Sequence, residues 1–445
     1  MSTSSCKENV ILFPFMAQGH IIPYLALGLK IQSRFGYTVT ILNIQRLKIS
    51  LPPNTSGVNL VSFPYCSSDH NLPPNSENTD VLPHSMFITL FESADSLKPH
   101  FHKFISDLVN ANNPPLCIIS DMFLGWTVEI AKYGAYGVAV YYSIWLNQPQ
   151  LQNESEEEFL VPDFPQDLRI HRSQLANSAL QATGSDSLSL FFKRTLSQTL
   201  SSDGFLINTV EGQDSVWAVG PVSDYSLSLK SSSDLSIQWL DNHEENSVLY
   251  ISFGSQCTIS SSQMMELAIG LEKSGKNFMW VIRPPLEYDI NEAFRSEWLP
   301  DGFEERMKVN DRGLLMKKWA PQLEILSHKS TPVFLSHCGW NLVLETDHFY
   351  NSKLLEEEMK VCVELARGNR NEIRHEDVVR VIDLVMNNES KKGVEMRGRA
   401  CHVKEVIENA IRDEQGFKGS SVKGLEEFFA MALLRKKVKM DQDGN

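Results

Sequence analysis

Residues 10–42 read VILFPFMAQGHIIPYLALGLKIQSRFGYTVTIL, and the fold class turns on this stretch. The run VILFPF at 10–15 is short and apolar throughout, the signature of a strand buried on both faces. GHIIPYLALGL at 19–29 predicts a helix, with Pro23 in its first turn and apolar residues down one side. YTVTIL at 37–42 predicts the next strand. A strand, a helix and a strand in about 35 residues form a βαβ unit, so the sheet is expected to be parallel.

The pattern continues outward. LCIISD at 116–121 predicts another buried strand, ending at Asp121. A second alternating series begins at SVLYISF, 247–253. It continues with a helix over 261–274 and strands at 278–282, 313–318 and 333–336. Residues 67–83, rich in Asn, Pro and Ser, predict a surface loop, and 154–158 an exposed acidic run. The serine-rich stretch 223–236 has few large apolar residues and predicts a linker. The fold class is therefore α/β, two Rossmann-like domains with parallel sheets. Their bounds are 1–222 and 237–425, with the linker 223–236 between them and a C-terminal helix and tail at 426–445.

Composition narrows the function. At 445 residues the chain exceeds one domain of about 150. Its 42% hydrophobic and 22% charged residues are ordinary for a globular protein. The net charge of −14 argues against a nucleic-acid partner, and the basic run at 435–439 predicts a solvated helix end. Seven scattered cysteines without a C-x-x-C pair argue against a disulfide framework and a zinc ribbon, and favour a reducing compartment. The apolar run at 10–17 is interrupted by Pro14 and lacks a cleavage site. No stretch reaches the roughly 18 apolar residues of a spanning helix. A cytoplasmic location and no membrane span are expected, and the glycosylation triplets at Asn54, Asn153 and Asn388 read as chance matches.

Candidate chemistry lies at strand ends, where doubly wound sheets bind ligands. His20 follows the first strand at the start of a helix. The positive end of the helix dipole disfavours imidazolium there, which suits a general base, although a structural histidine is the alternative. Asp121 either caps the helix expected over 122–132 or orients that base. No G-x-S-x-G elbow supplies a nucleophile, so the activated group is expected to come from a substrate. No G-x-G-x-x-G follows the first strand, which disfavours a nicotinamide dehydrogenase. Phe253-Gly-Ser255 forms a small turn that either approaches a phosphate or is an ordinary turn. The stretch from Trp319 to Glu345 is the richest. Trp319 offers a flat face for a base, and Gln322 a polar edge beside it. His337 and Asn341, with the first N–H groups of a helix, can meet a diphosphate. Glu345 lies four residues past Asn341 on the same helix face, where it can accept from ribose hydroxyls. Cys338 reads as a small buried residue, since His337 and Cys338 alone make a poor zinc site.

Residues 319–345 (WAPQ … HCGWN … E) resemble the signature box of plant secondary-product UDP-glycosyltransferases. The residues FPFMAQGHIIP at 13–23, Asp121, WAVGP at 217–221 and VLYISFGS at 248–255 resemble the same family, so the likeness covers nearly the whole chain. It implies the GT-B architecture, an acceptor domain facing a nucleotide-sugar domain across a cleft, with the C-terminal helix crossing back onto the first domain. It implies inverting transfer of a hexose from a UDP-sugar, UDP-glucose or UDP-galactose, to a hydroxyl of a small, mainly apolar acceptor. No metal and no bound cofactor are implied, and a monomer is expected. His20 would be the base and Asp121 its partner. Trp319 would stack on uracil, with Ala320 and Gln322 beside it. Ser255, His337 and Asn341, with Trp340 and Leu342 in the same box, would form the diphosphate side, and Glu345 would hold the ribose. Asp347 and His348 align with the acidic–Gln pair that holds the sugar.

The chain also departs from the family. About fourteen residues, one parallel strand with its loops, are missing between Thr346 and Asp347. Leu342 replaces a phosphate-binding Ser, which costs on the order of 1 kcal/mol. His348 replaces Gln, a change that in this family can accompany galactose. Family text is also missing near 133, where the family has a strand, and near 212, where it has a helix. A catalytically impaired member of the same family is the alternative that these gaps raise.

Overall fold

The computed structural model describes residues 8–45, 51, 55–129, 158–160, 169–172, 175, 177–199, 201–207, 216–222, 235–254, 258–289, 291–317, 320–338, 354–366 and 372–443. The linker residues 223–234 and the gap positions near 133, 212 and 346 lie outside them, as does the acidic run except for Glu158.

Two four-stranded parallel sheets carry the chain, and both have the same strand order. In the first, β1 (Asn9–Phe13) is flanked by β2 (Thr38–Ile44) and β4 (Cys117–Ser120), and β3 (Val58–Phe63) lies outside β2. In the second, Val248–Ser252 is flanked by Asn277–Val281 and Val333–Ser336, with Gly313–Met316 outside. The order 3-2-1-4 in both sheets bears out two Rossmann-like halves. The central strands are the apolar runs of the sequence, and every residue of Asn9–Phe13 and Val248–Ser252 is buried. Each fully buried Ile, Leu or Val there contributes about 1.5–3 kcal/mol.

Local signals set the helix ends. Helix α1 (Gln18–Phe35) stops at Gly36, whose φ of 67° is left-handed. It is longer than its expected span because KIQSRF at 30–35 continues it without a breaker. Since it starts at Gln18, Pro23 stands beyond the first turn. The helix Ser261–Ser274 matches its expected span because Ser260 and Gln263 form a capping box and Gly275 closes the far end.

Two expectations differ from the structure. Residues 67–83 are not merely a surface loop, because Ser67, Leu72, Ser76, Glu77, Thr79 and Leu82 are buried. The Ser67 hydroxyl lies 2.8 Å from the Pro73 carbonyl and 3.2 Å from Glu77 Oε1, so the loop's polar groups satisfy one another. Residues 122–129 form 3-10 turns with a kink at Leu124 rather than an α-helix. Tertiary contact explains this. The backbone at Gly125 approaches the helix Ser187–Thr199 so closely that a Cβ there would meet the Thr195 carbonyl oxygen at 2.7 Å.

The last helix, Ser420–Asp443, returns to the first half of the chain. Leu425, Phe428, Phe429 and Ala432 join the core built on β1 and β2. Phe429 packs on Phe35 and Tyr37, with ring centroids 4.7 and 5.3 Å away. Arg34, at the end of α1, is forked between Asp413 and Glu426. Lys436 meets Glu8 at 2.7 Å.

Candidate functional site

In each sheet the strand order reverses between the first strand and the fourth, and His20, Asp121 and His337 stand at those two switch points. In the first sheet, β1 and β4 pair in register from Val10↔Cys117 to Phe13↔Ser120. The ladder runs one step further, with the Asp121 N–H donating to the Phe13 carbonyl at 2.9 Å. Asp121 therefore emerges beside the turn that opens α1, on which His20 is the third residue.

The two side chains meet. His20 Nδ1–H donates to Asp121 Oδ2 at 2.7 Å. His20 is 8% exposed and Asp121 3%. The other carboxylate oxygen accepts the Phe123 N–H at 3.1 Å, so Asp121 both caps the following turn and orients the imidazole. An Nδ1–H held by a carboxylate fixes the tautomer whose lone pair is on Nε2, the form that can accept a proton. Aromatic rings close around it. Phe123 and Phe15 lie 5.4 and 5.8 Å from the His20 ring, centroid to centroid. Phe91 stacks on Phe123 at 4.8 Å and on Phe191 at 5.6 Å. The sequence pattern gave no sign of this cluster, because Phe91 and Phe191 come from elements far apart in the chain.

At the second switch point, His337 follows Val333–Ser336 and Gly254 follows Val248–Ser252. A Cβ at Gly254 would lie 2.6 Å from His337 Cε1, and Gly254 has φ +81°. Only glycine suits both the turn and the neighbouring ring. Burial holds the His337 imidazole down at about 4, with a hydrogen bond that it donates to the Ser252 backbone acting in the opposite direction. At neutral pH His337 is therefore uncharged. Cys338 is half-buried, has φ 58°, and donates its N–H to the Ser336 hydroxyl at 3.1 Å. Burial, with Glu364 nearby, pushes its thiol up to about 11, so it is protonated at neutral pH. Ala320 is buried beside Ile325, and Gln322 opens the short helix Gln322–Ser327 with its side chain exposed. Ser255, Trp319, Trp340, Asn341, Leu342, Glu345, Asp347 and His348 lie outside the described residues. Among the described residues no cluster of His, Cys, Asp and Glu could hold a metal, and no helix is long and apolar enough to cross a membrane.

Comparison with known proteins follows the same lines. The model of the family described as "UDP-glucoronosyl and UDP-glucosyl transferase" matches residues 227–350. The chain is 40% identical to UDP-glycosyltransferase 92A1 of Arabidopsis thaliana, over 96% of this chain and 98% of that protein. That alignment spans 481 positions, more than the 445 residues of this chain, so the relative carries segments that this chain lacks. It is 39% identical to crocetin glucosyltransferase 3 of Crocus sativus, over 86% of this chain and 91% of that protein. Among solved structures, Glycyrrhiza uralensis UGT73P12, complexed with glycyrrhetinic acid 3-O-monoglucuronide, superposes with a TM-score of 0.80. It is 25% identical, and 98% of each chain is covered. The parallel sheets, their two switch points and the similarity along the whole chain agree, and the chain belongs to the UDP-glycosyltransferase family, with the GT-B fold.

Proposed function

We propose that this protein transfers a hexose from a UDP-sugar, with inversion, to a hydroxyl of a small, mainly apolar acceptor. The observation that carries the reading is the buried His20–Asp121 pair at 2.7 Å, set among phenylalanine rings. His20 takes the acceptor O–H proton on Nε2 as the acceptor oxygen attacks the anomeric carbon. The bond from that carbon to the UDP oxygen breaks, and the electron pair leaves with UDP. Asp121 stabilises the imidazolium that forms, and the rings of the cluster favour an apolar acceptor body. The donor side is the second switch point. Trp319, Ala320 and Gln322 take the uracil, Ser255, His337, Trp340, Asn341 and Leu342 line the diphosphate, and Glu345 holds the ribose. Asp347 and His348 are the pair assigned to the sugar. Residues 1–222 serve as the acceptor domain and 237–425 as the donor domain, joined by 223–236.

The test separates the two sides. His20→Ala should abolish transfer while UDP affinity by calorimetry stays within about twofold, because the base serves the acceptor. Unchanged turnover in this variant would overturn the assignment. The second reading, an impaired member, is motivated by the relative's extra segments. It expects UDP and UDP-glucose to bind equally, whereas the active reading expects a preference for the sugar nucleotide.

A further inference from the structure

Helix α1 lays one row of residues along the first sheet. Positions 20, 24 and 28 are one turn apart and share a face. His20, at one end of the row, reaches Asp121. Gly28, at the other end, lies against Leu12 and Ile41. Tyr24 stands between them. Leu12 pairs with Ile119, two residues before Asp121, so the strands beneath this row lead to the carboxylate. Tyr24 is 5% exposed, and its buried hydroxyl meets no hydrogen-bond partner among the described residues. A phenylalanine would fill the same space without burying an unpaired polar atom. Burial, and after it the charge of Asp121, push the phenol well above the ordinary tyrosine range, so it keeps its proton. The cations of the same helix are engaged further along. Lys30 donates to the Val219 carbonyl at 3.3 Å, and Arg34 meets Asp413 and Glu426. Asp121 has room for another donor. Its Oδ2 accepts from His20 and its Oδ1 from the Phe123 N–H, one partner each, where a carboxylate offers about four lone-pair sites.

We propose that Tyr24 is a positioning residue of the base: its phenol O–H, turned toward the Asp121 carboxylate, keeps that carboxylate fixed against His20 and the imidazole proton on Nδ1. The inference rests on the base reading above. Tyr24→Phe keeps the ring and removes only the hydroxyl. The variant and the wild type are compared by the downfield proton resonance of the His20 Nδ1–H, by urea midpoint and by steady-state rates. The resonance is assigned by its loss in His20→Ala. In Tyr24→Phe it should shift, and kcat should fall about fivefold or more while KM for the acceptor stays within about twofold. The urea midpoint should stay or rise, because a buried hydroxyl without a hydrogen bond does not stabilise the fold. An unmoved resonance overturns the role of Tyr24, whether or not the chain turns over. Unchanged kcat overturns it as well, and so does a fall in kcat matched by a loss of stability, which marks a packing residue. A wild type in which His20→Ala removes no downfield signal overturns the base reading itself. Tyr24→Met takes the place of the Phe variant if that one does not fold.

Discussion

His337 shows how one side chain can set a pH limit on the whole protein. Its imidazole ordinarily titrates near 6.5, and burial lowers it to about 4 in the folded chain. The unfolded chain therefore binds more protons between those two values, and stability falls as pH drops through that window. Above about 6.5 the contribution is complete; it is lost progressively toward pH 4 and amounts to roughly 1–3 kcal/mol. Urea denaturation at pH 7 and pH 5 should show this loss in the wild type and less of it in His337→Phe. A pH dependence identical in the two proteins would show that the residue does not titrate in this way. The His20–Asp121 contact at the first switch point was legible in the sequence, because both residues stand where apolar runs end. The closing of the His337 ring on Gly254 was not. It depends on two strands 80 residues apart lying side by side, and neither run carries a mark of the other.

Among the elements, those with their own start and stop signals were read most accurately. The helix Ser261–Ser274 has its capping box and its glycine, and Val333–Ser336 is a bounded apolar run. Residues 122–129 were misread and 67–83 only partly read, since a neighbouring helix decides the first and internal polar bonds bury part of the second. The packing of α1 on its sheet also depends on one residue that periodicity does not single out. A Cβ at Gly28 would lie 3.2 Å from both Leu12 Cδ1 and Ile41 Cδ1. Gly28→Val adds further methyl groups to this tight contact and should cost about 1–3 kcal/mol by overpacking. Because His20 rides on the same helix, turnover should fall with stability. Gly28→Ala should be milder, since a gain in helix propensity offsets the crowding. Urea midpoints and turnover of the two variants check the order, and a Val variant as stable as the wild type would contradict the packing argument.

Over the whole molecule, the C-terminal helix belongs to the second half in sequence and to the first in packing. Leu425 and Phe428 are fully buried in the first core, and Phe428 meets Trp217 with ring centroids 5.3 Å apart. A chain ending at Gly419 should leave that apolar surface open and be recovered aggregated. Size-exclusion chromatography of the truncated chain checks this, and a folded, monodisperse product would contradict it. Ion pairs alone contribute less, because Asp413 and Glu426 remain partly exposed to water. The same helix has a mechanical consequence. The chain passes from the first half to the second between residues 222 and 235, and passes back between Ile411 and Ser420. Glu8 and Lys436, 428 positions apart, end up in contact, so the polypeptide is nearly a closed ring. Two lobes on a single tether can drift and turn in any direction. Here the last helix is a second tie, which lets go only when Leu425, Phe428 and Phe429 leave the first core.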